Sequence, residues 1–420
     1  MRHRARLAWL PLGVLIAVYL ATATQFALLT PPWQAPDEPA HYNYVRYVAE
    51  RGALPVLQAG DYPAEYLEEI KALGFPPDMS IDPLQYESWQ PPLYYLLAAP
   101  VYRAARAIAP HPLPLIALRL LSVLLGSLLI VVTYSIAREL LPRHESLALG
   151  TAGVLATVPM QVAMTAAVNN DTLAGLWSAL IVWQLLRLLR SSPTTRQWQL
   201  LGLTIGLGAL TKLSTLATLP LIAGVALYAL SQQVHASATG KSAWWRQTLA
   251  LAAPAILLIA PWVFRNLCTY GVADPFIMAR HSSVVVGQLR TEVWLAQVGL
   301  GAALREMAQT TFRSFWGQFG WMGVPLPDRL YTLLAAGCGL CALGLAADAR
   351  HIAACWRGLT REARVSWCVI LGWLLLTAAS YLWYNLSFKQ HQGRYLFPAL
   401  PAIALLLAIG WWRAMRRGRR

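Results

Sequence analysis

Residues 30–47, TPPWQAPDEPAHYNYVRY, follow directly on the uncharged apolar run Leu7–Leu29. That run is long enough to cross a bilayer, which takes about 20 residues. It is also too long for the apolar core of a signal peptide, and no small-residue cleavage site follows it. Asp37 and Glu38 therefore stand at the mouth of a membrane span. Two adjacent carboxylates are costly to desolvate there, which points to function. On a helix beginning near Pro36, Asp37 and His41 are i and i+4 and share a face. The competing explanation is a helix N-terminus, where the dipole favours acids.

Composition fixes the broad class. At 57% hydrophobic, 13% charged and a mean hydropathy of +0.46, the chain reads as an all-α polytopic membrane protein. In a soluble protein the net charge of +15 would suggest a nucleic-acid partner. Here the basic residues gather in short loops between apolar runs, as orientation signals do, and no nucleic acid is expected. The five cysteines show neither disulfide nor metal-ligand spacing. Cys338 and Cys341, in an apolar run, read as small buried hydrophobes.

By length, the spans fall at 7–29, 113–137, 147–168, 171–190, 198–211, 213–230, 248–265, 328–347, 366–384 and 395–412, about ten helices in a single integral-membrane domain, 1–420. The basic loops are Arg2/Arg4/Arg6, Arg138/Arg143, Arg187/Arg190/Arg196, Lys241/Arg246, Arg350/Arg357/Arg361/Arg364 and the tail Arg413–Arg420. With alternating spans and both termini in the cytoplasm, all six lie on the cytoplasmic side. Counting Pro92–Ile108 as a span would reverse every later loop, and Arg103 and Arg106 interrupt it. It reads instead as an interfacial helix on the outer surface.

Segment 30–112 is then a large extracytoplasmic loop, with ten Asp/Glu against three Lys/Arg between residues 30 and 90. It holds a helix over 37–51, ended by Gly52 and Pro55, and an acidic stretch to Glu87 broken by prolines. The WQPPLYY turn leads from there into the interfacial helix. A second outer loop, 266–327, is rich in aromatics, among them Trp294, Phe312, Phe315, Trp316, Phe319 and Trp321. Such rings usually form an interfacial belt, with a groove for a lipid or sugar as the alternative. No Walker loop or GxGxxG motif is present, so nothing suggests use of a cytosolic nucleotide.

The remaining polar residues converge on the outer face. Asn169-Asn170-Asp171 lies where span 147–168 exits. One helix cap accounts for part of it, though not for three consecutive polar residues. Lys212 interrupts the apolar run 200–230 and needs an anionic partner unless it snorkels to the surface. Arg265-Asn266 ends span 248–265, and Lys389, His391 and Arg394 precede the last span. Outer-side cations run against the orientation bias, and their convergence suggests capture of a phosphate.

Taken in order, APDEPAHYNYVRYVAERG, WQPPLYYLLAAPVYR, ALRLLSVLLGSLLIVVTYSIAREL, NNDTLAGLWSALIVW, GLGALTKLSTLATLPL, PWVFRNLCTYG and QGRYLFPALPAIALLLA resemble integral-membrane glycosyltransferases of the GT-C fold. The nearest resemblance is to bacterial relatives of the protein O-mannosyltransferases and of the aminoarabinose lipid A transferase. It covers nearly the whole chain; the DE-x-x-H element and the QPPLYY turn are its specific parts. It implies two juxtamembrane helices in the first outer loop, matching 37–51 and 92–108. It also implies a polyprenyl-phosphate-linked sugar as donor, with inverting transfer outside the cytoplasmic membrane to a lipid, glycan or protein acceptor. The family's first-loop acid corresponds to Asp37 and its second-loop acid to Asp171. DEPAH stands where better-characterised members usually carry a bare DE or D, a pattern more typical of a separate branch.

The residue types suit that chemistry. A hydroxyl is a poor nucleophile, and a positioned carboxylate such as Asp37 takes its proton during attack on the anomeric carbon. The leaving lipid phosphate needs cations more than a general acid, and Lys212, Arg265 and Arg394 are the candidates. Glu38 or His41 would orient Asp37, or join Asp171 around a divalent metal; no other cofactor is indicated, and one His with a few carboxylates leaves the metal undecided. Two rival classes fit in part. A transporter or flippase of a lipid-linked sugar would usually show repeat symmetry, and none is visible. A non-catalytic lipid-binding protein would explain the aromatics but leave Asp37 without a role.

Overall fold

The computed structural model describes residues 2–190, 193–236 and 240–417; the side chains of 2–9, 230, 233–236, 240–243 and 417 lie outside that description. The basic groups Arg2, Arg4, Arg6, Lys241 and the tail beyond Arg416 thus fall outside the described side chains.

The apolar run after the N-terminus forms α1 (Arg2–Leu29). Helix α2 (Glu38–Arg51) ends where expected, at Gly52, whose φ of 66° lets its N–H reach the Val48 carbonyl. The acidic stretch holds a further helix, α3 (Ala64–Ala72). After Pro91-Pro92 comes α4 (Leu93–Ile108), which buries Tyr94, Tyr95, Ala98 and Tyr102 and exposes Leu96 and Leu97. The long span α5 (Leu113–Leu140) follows.

Between α6 (Glu145–Thr157) and α7 (Pro159–Thr165) the axis turns by 67°. Pro159 is the cause: it removes a helical N–H and holds Val158 extended. Then come α8 (Asp171–Leu188), α9 (Thr195–Ala209), a 3-10 turn Leu213–Thr218, α10 (Leu219–Ala236) and α11 (Gly240–Tyr270). Helices α9 and α11 meet almost backbone to backbone. A Cβ on Gly202 would lie 2.0 Å from the Leu251 carbonyl oxygen, so only glycine permits this crossing.

Segment 266–327 carries α12 (Met278–Val284), α13 (Thr291–Val298), α14 (Leu300–Trp316) and a two-residue antiparallel ladder, Gln318–Phe319 with Val324–Pro325. Helices α15 (Asp328–Ala347), α16 (Ala349–Gly358), α17 (Arg361–Ser387) and α18 (Leu400–Arg417) complete the chain, with a 3-10 turn Gly393–Ala399 before α18.

Among the described residues six helices are long and apolar enough to cross a membrane, and a seventh if α6–α7 is one broken span. Ten were expected. The three without such a helix are 171–190, 198–211 and 213–230. Helix α9 has only 15 residues and α10 begins in a 3-10 turn, while α8 carries charge or amide at both ends. Length and composition alone therefore mark six or seven of the ten expected segments as spans in the folded chain.

The two segments expected as outer loops pack on one another. The Trp321 indole N–H donates to the Trp33 carbonyl (2.9 Å), Tyr270 Oη accepts from the Leu57 N–H (2.9 Å), and Arg280 Nε donates to the Leu57 carbonyl (3.1 Å). Ala40, Leu67, Leu84 and Tyr86 of the first segment form a small second core, against which Val285 and Trp321 of the second segment pack. Of the aromatics expected in a belt, Trp294, Phe315 and Trp316 are buried; they pack inward as core.

Candidate active site

Asp37 sits in the left-handed region at φ 66°, immediately before α2, and its carboxylate makes no capping bond. A non-glycine residue held there costs energy that the surroundings must supply, as commonly happens at functional positions. The surroundings are specific. Oδ2 accepts a 2.8 Å bond from the Arg394 guanidinium and Oδ1 a 3.2 Å bond from Tyr86 Oη. Burial alone would raise the Asp37 pKa, but Arg394, helped by His41, holds it below the ordinary carboxylate value. The helix-cap explanation of Asp37 thus gives way to an ion pair across 357 residues of chain.

Arg394 is brought there by the turn before α18. The neighbouring Gly393 lies against α14 so closely that a Cβ would come within 2.4 Å of the Thr311 carbonyl oxygen and the Phe315 nitrogen. Gln392 accepts the Arg394 Nε–H at 2.7 Å, and the Tyr395 ring lies 5.5 Å below the guanidinium.

Each residue of Asn169-Asn170-Asp171 has its own task. Asn169, one residue before the cap position Asn170, accepts from the backbone N–H of Asp171 (3.0 Å) through Oδ1 and so satisfies the start of α8. Buried Asn170 donates to the Gln90 side chain (3.2 Å) and the Thr211 carbonyl (3.1 Å), tying α8 to the Pro-Pro turn and to the end of α9. Asp171 pairs with Lys212 Nζ. Lys212 stands in the extended break between α9 and its 3-10 turn, at φ −160° and ψ 130°, so its partner is the acid the sequence called for.

His41 is buried on α2, with Nδ1 2.8 Å from Tyr95 Oη. Burial takes its pKa down to about 4 despite Asp37, so the imidazole is neutral at physiological pH. Glu87, read in the sequence only as the end of an acidic stretch, also belongs to this cluster. Its charge interacts with those of Asp37, Lys212 and Asp171, and Gln90 donates a 2.9 Å bond to Oε2.

Two expected site residues lie elsewhere. Glu38 is fully buried and turned away from Asp37. Arg119 on α5 grips both its oxygens at 2.8 and 2.6 Å, and the N–H groups of Trp33 and Val168 complete its shell. It braces the fold and does not orient the Asp37 carboxylate. Arg265 donates to the Leu54 and Pro55 carbonyls (3.3 and 2.6 Å) and stacks on Tyr270, holding α11 to the end of α2. Among the described residues its hydrogen bonds and ring contact are with Asn266, Leu54, Pro55 and Tyr270, not with the cluster. Lys212 and Arg394 do share one field with Asp37 and Asp171. Among the described residues no three His, Cys, Asp or Glu side chains converge as metal ligands, and Asp37 and Asp171 each already hold a cation.

The profile of a family described as "Predicted membrane protein (DUF2142)" matches residues 82–403. The chain belongs to the DUF2142 family. No curated protein matches its sequence. ArnT from Cupriavidus metallidurans, in its crystal structure bound to undecaprenyl phosphate, is similar at a TM-score of 0.54 and 14% identity, over 95% of this chain and 59% of ArnT. The apo oligosaccharyltransferase from Archaeoglobus fulgidus gives 0.53 and 15% identity, over 97% of this chain and 52% of that one. The DUF2142 chain thus spans between half and three fifths of the length of these solved structures. At such identity the likeness is one of fold, and the fold is GT-C.

Proposed function

We propose that this chain is a glycosyltransferase that moves a sugar from a polyprenyl-phosphate donor to a hydroxyl-bearing acceptor, with inversion, on the extracytoplasmic side of the cytoplasmic membrane. The observation that carries the reading is the pairing of Asp37 with Arg394 and of Asp171 with Lys212 in one cluster of a GT-C fold. A base and two phosphate-binding cations are what this transfer needs.

The acceptor oxygen attacks the anomeric carbon as its proton passes to Asp37. The bond from that carbon to the phosphate oxygen breaks, and the polyprenyl phosphate leaves with one more negative charge, met by Lys212 and Arg394. In the free protein Arg394 is engaged by Asp37. A donor phosphate competes for that guanidinium, loosens its hold on Asp37 and so restores the basicity of the carboxylate as the substrate arrives. An apolar groove of about 450 Å³ between α14 and α17, lined by Leu304, Met307, Phe312, Phe315, Tyr381 and Leu396, suits a prenyl chain and begins two residues from Arg394.

Binding of undecaprenyl phosphate to the purified full chain tests this reading. Charge-assisted hydrogen bonds are worth about 1.5–3 kcal/mol, so Lys212→Ala and Arg394→Ala should each weaken binding by roughly ten- to a hundredfold. Equal affinity in both variants and the parent would remove the phosphate site. For the sidedness, Asp61 and Glu87 are expected to face outside and Arg143, Arg357 and Arg419 the cytoplasm. Single cysteines at these positions, after replacement of the five native ones, are to be labelled with an impermeant thiol reagent. Labelling of position 419 from outside would reverse the topology.

A further inference from the structure

Three acids in and around the site are matched by a cation: Asp37 by Arg394, Asp171 by Lys212 and Glu38 by Arg119. Glu87 is the exception. Among the described residues it forms no ion pair; Oε2 accepts the Gln90 amide and Oε1 has no hydrogen-bond partner. Gln90 is itself fixed, 4% exposed, with its own oxygen taken by Asn170, so the Glu87 carboxyl is held in one orientation with one oxygen uncommitted.

The groups whose charge bears on Glu87 are Asp37 ahead of α2, Lys212 after α9 and Asp171 at the start of α8; Tyr95 on α4 and Tyr384 on α17 also feel its charge. Without Glu87 the cluster balances: two carboxylates, Lys212, Arg394 and a neutral imidazole. An ionised Glu87 leaves an excess negative charge where an anion has to enter. A protonated Glu87 instead adds an O–H donor without adding charge, and an O–H to phosphate bond is among the strong ones.

We propose that Glu87 is a third phosphate-binding group of the site, donating the hydrogen of its protonated carboxyl to a phosphate oxygen of the lipid donor. The proposal rests on the transferase reading above. Burial first, then repulsion from Asp37, push the Glu87 carboxyl up to about 7 against the pull of Lys212, so both forms are present near neutrality. The competent acid form predominates below that value and is lost as the pH rises through it.

The test is the affinity of the full chain, in detergent micelles, for the methyl ester of undecaprenyl phosphate, a phosphodiester that does not itself titrate near neutrality. Between pH 6 and pH 8 the acid fraction falls about tenfold, and the Kd of the parent protein should rise by the same factor. Glu87→Gln keeps an N–H donor and cannot ionise, so its Kd should stay near the parent's value at pH 6 across the range. Glu87→Leu should bind weakly at both ends. Tight binding by the parent with no pH dependence, or a Gln variant that keeps the parent's slope, would overturn the role of Glu87 and leave the transferase reading standing. No binding by the parent at any pH would overturn both.

Discussion

Asp37→Asn is expected to lower sugar transfer by about 100-fold or more while polyprenyl phosphate still binds. The change keeps the shape of the side chain and an oxygen for the Tyr86 hydroxyl, so α2 should start where it does now. It removes a partly open carboxylate, 30% exposed, whose partner is a cation that substrate phosphate can draw away. Because the neutral amide no longer competes for Arg394, lipid phosphate should bind the variant at least as tightly as the parent. That split between lost transfer and retained binding separates a base from a phosphate ligand. Arg394→Ala should show the reverse order, with binding lost first. The measurement is transfer from a radiolabelled lipid-linked sugar in proteoliposomes with equal protein, beside the binding assay. Undiminished transfer by the Asn variant would remove Asp37 from the mechanism and pass its part to Asp171.

The sequence made the individual charges of this site legible and hid their partners. Asp37, His41, Asp171, Lys212 and Arg394 stand out because an ionisable group beside an apolar run is costly unless something compensates it. Which cation compensates which acid is a property of the folded chain, and the Asp37–Arg394 pair joins its two ends. Glu38 shows the same: adjacent to Asp37 in sequence, it bonds instead to Arg119 and to the Trp33 and Val168 N–H groups. Glu87 gave little signal, one acid among ten, and only the fixed Gln90 next to the Pro-Pro turn marks it out. Helices α2 and α4 were readable from local signals, Gly52 at the end of the first and Pro91-Pro92 at the start of the second. For the short helices, composition and length part ways: α9 is apolar but has only 15 residues.

Arg119, a lone cation near the start of the apolar run 113–137, is a sequence signal for a buried anionic partner. It is 2% exposed, and its guanidinium makes five hydrogen bonds, two to Glu38 and one each to the carbonyls of Ala27, Thr30 and Pro31. The single pair therefore ties the end of α1, the start of α2 and α5, and through the Val168 N–H the approach to Asp171. Removing one partner of a buried ion pair strands the other, at a cost of about 3–5 kcal/mol. Arg119→Leu is expected to destabilise by that amount, since it leaves Glu38 with only two backbone N–H groups and takes the Arg119 bond from the Ala27 and Thr30 carbonyls, while Pro31 keeps the Gln34 N–H. Glu38→Gln should cost less, because the amide oxygen still accepts from Arg119. The double variant Glu38→Leu/Arg119→Leu should be less damaging than the two single losses added together, as coupled neighbours are. Thermal or denaturant unfolding of the purified chain in detergent measures all of these. Single variants within ~0.5 kcal/mol of the parent, the range of ordinary surface changes, would show that the pair is no brace and that the left-handed turn at Asp37 is held by Arg394 and Tyr86 alone.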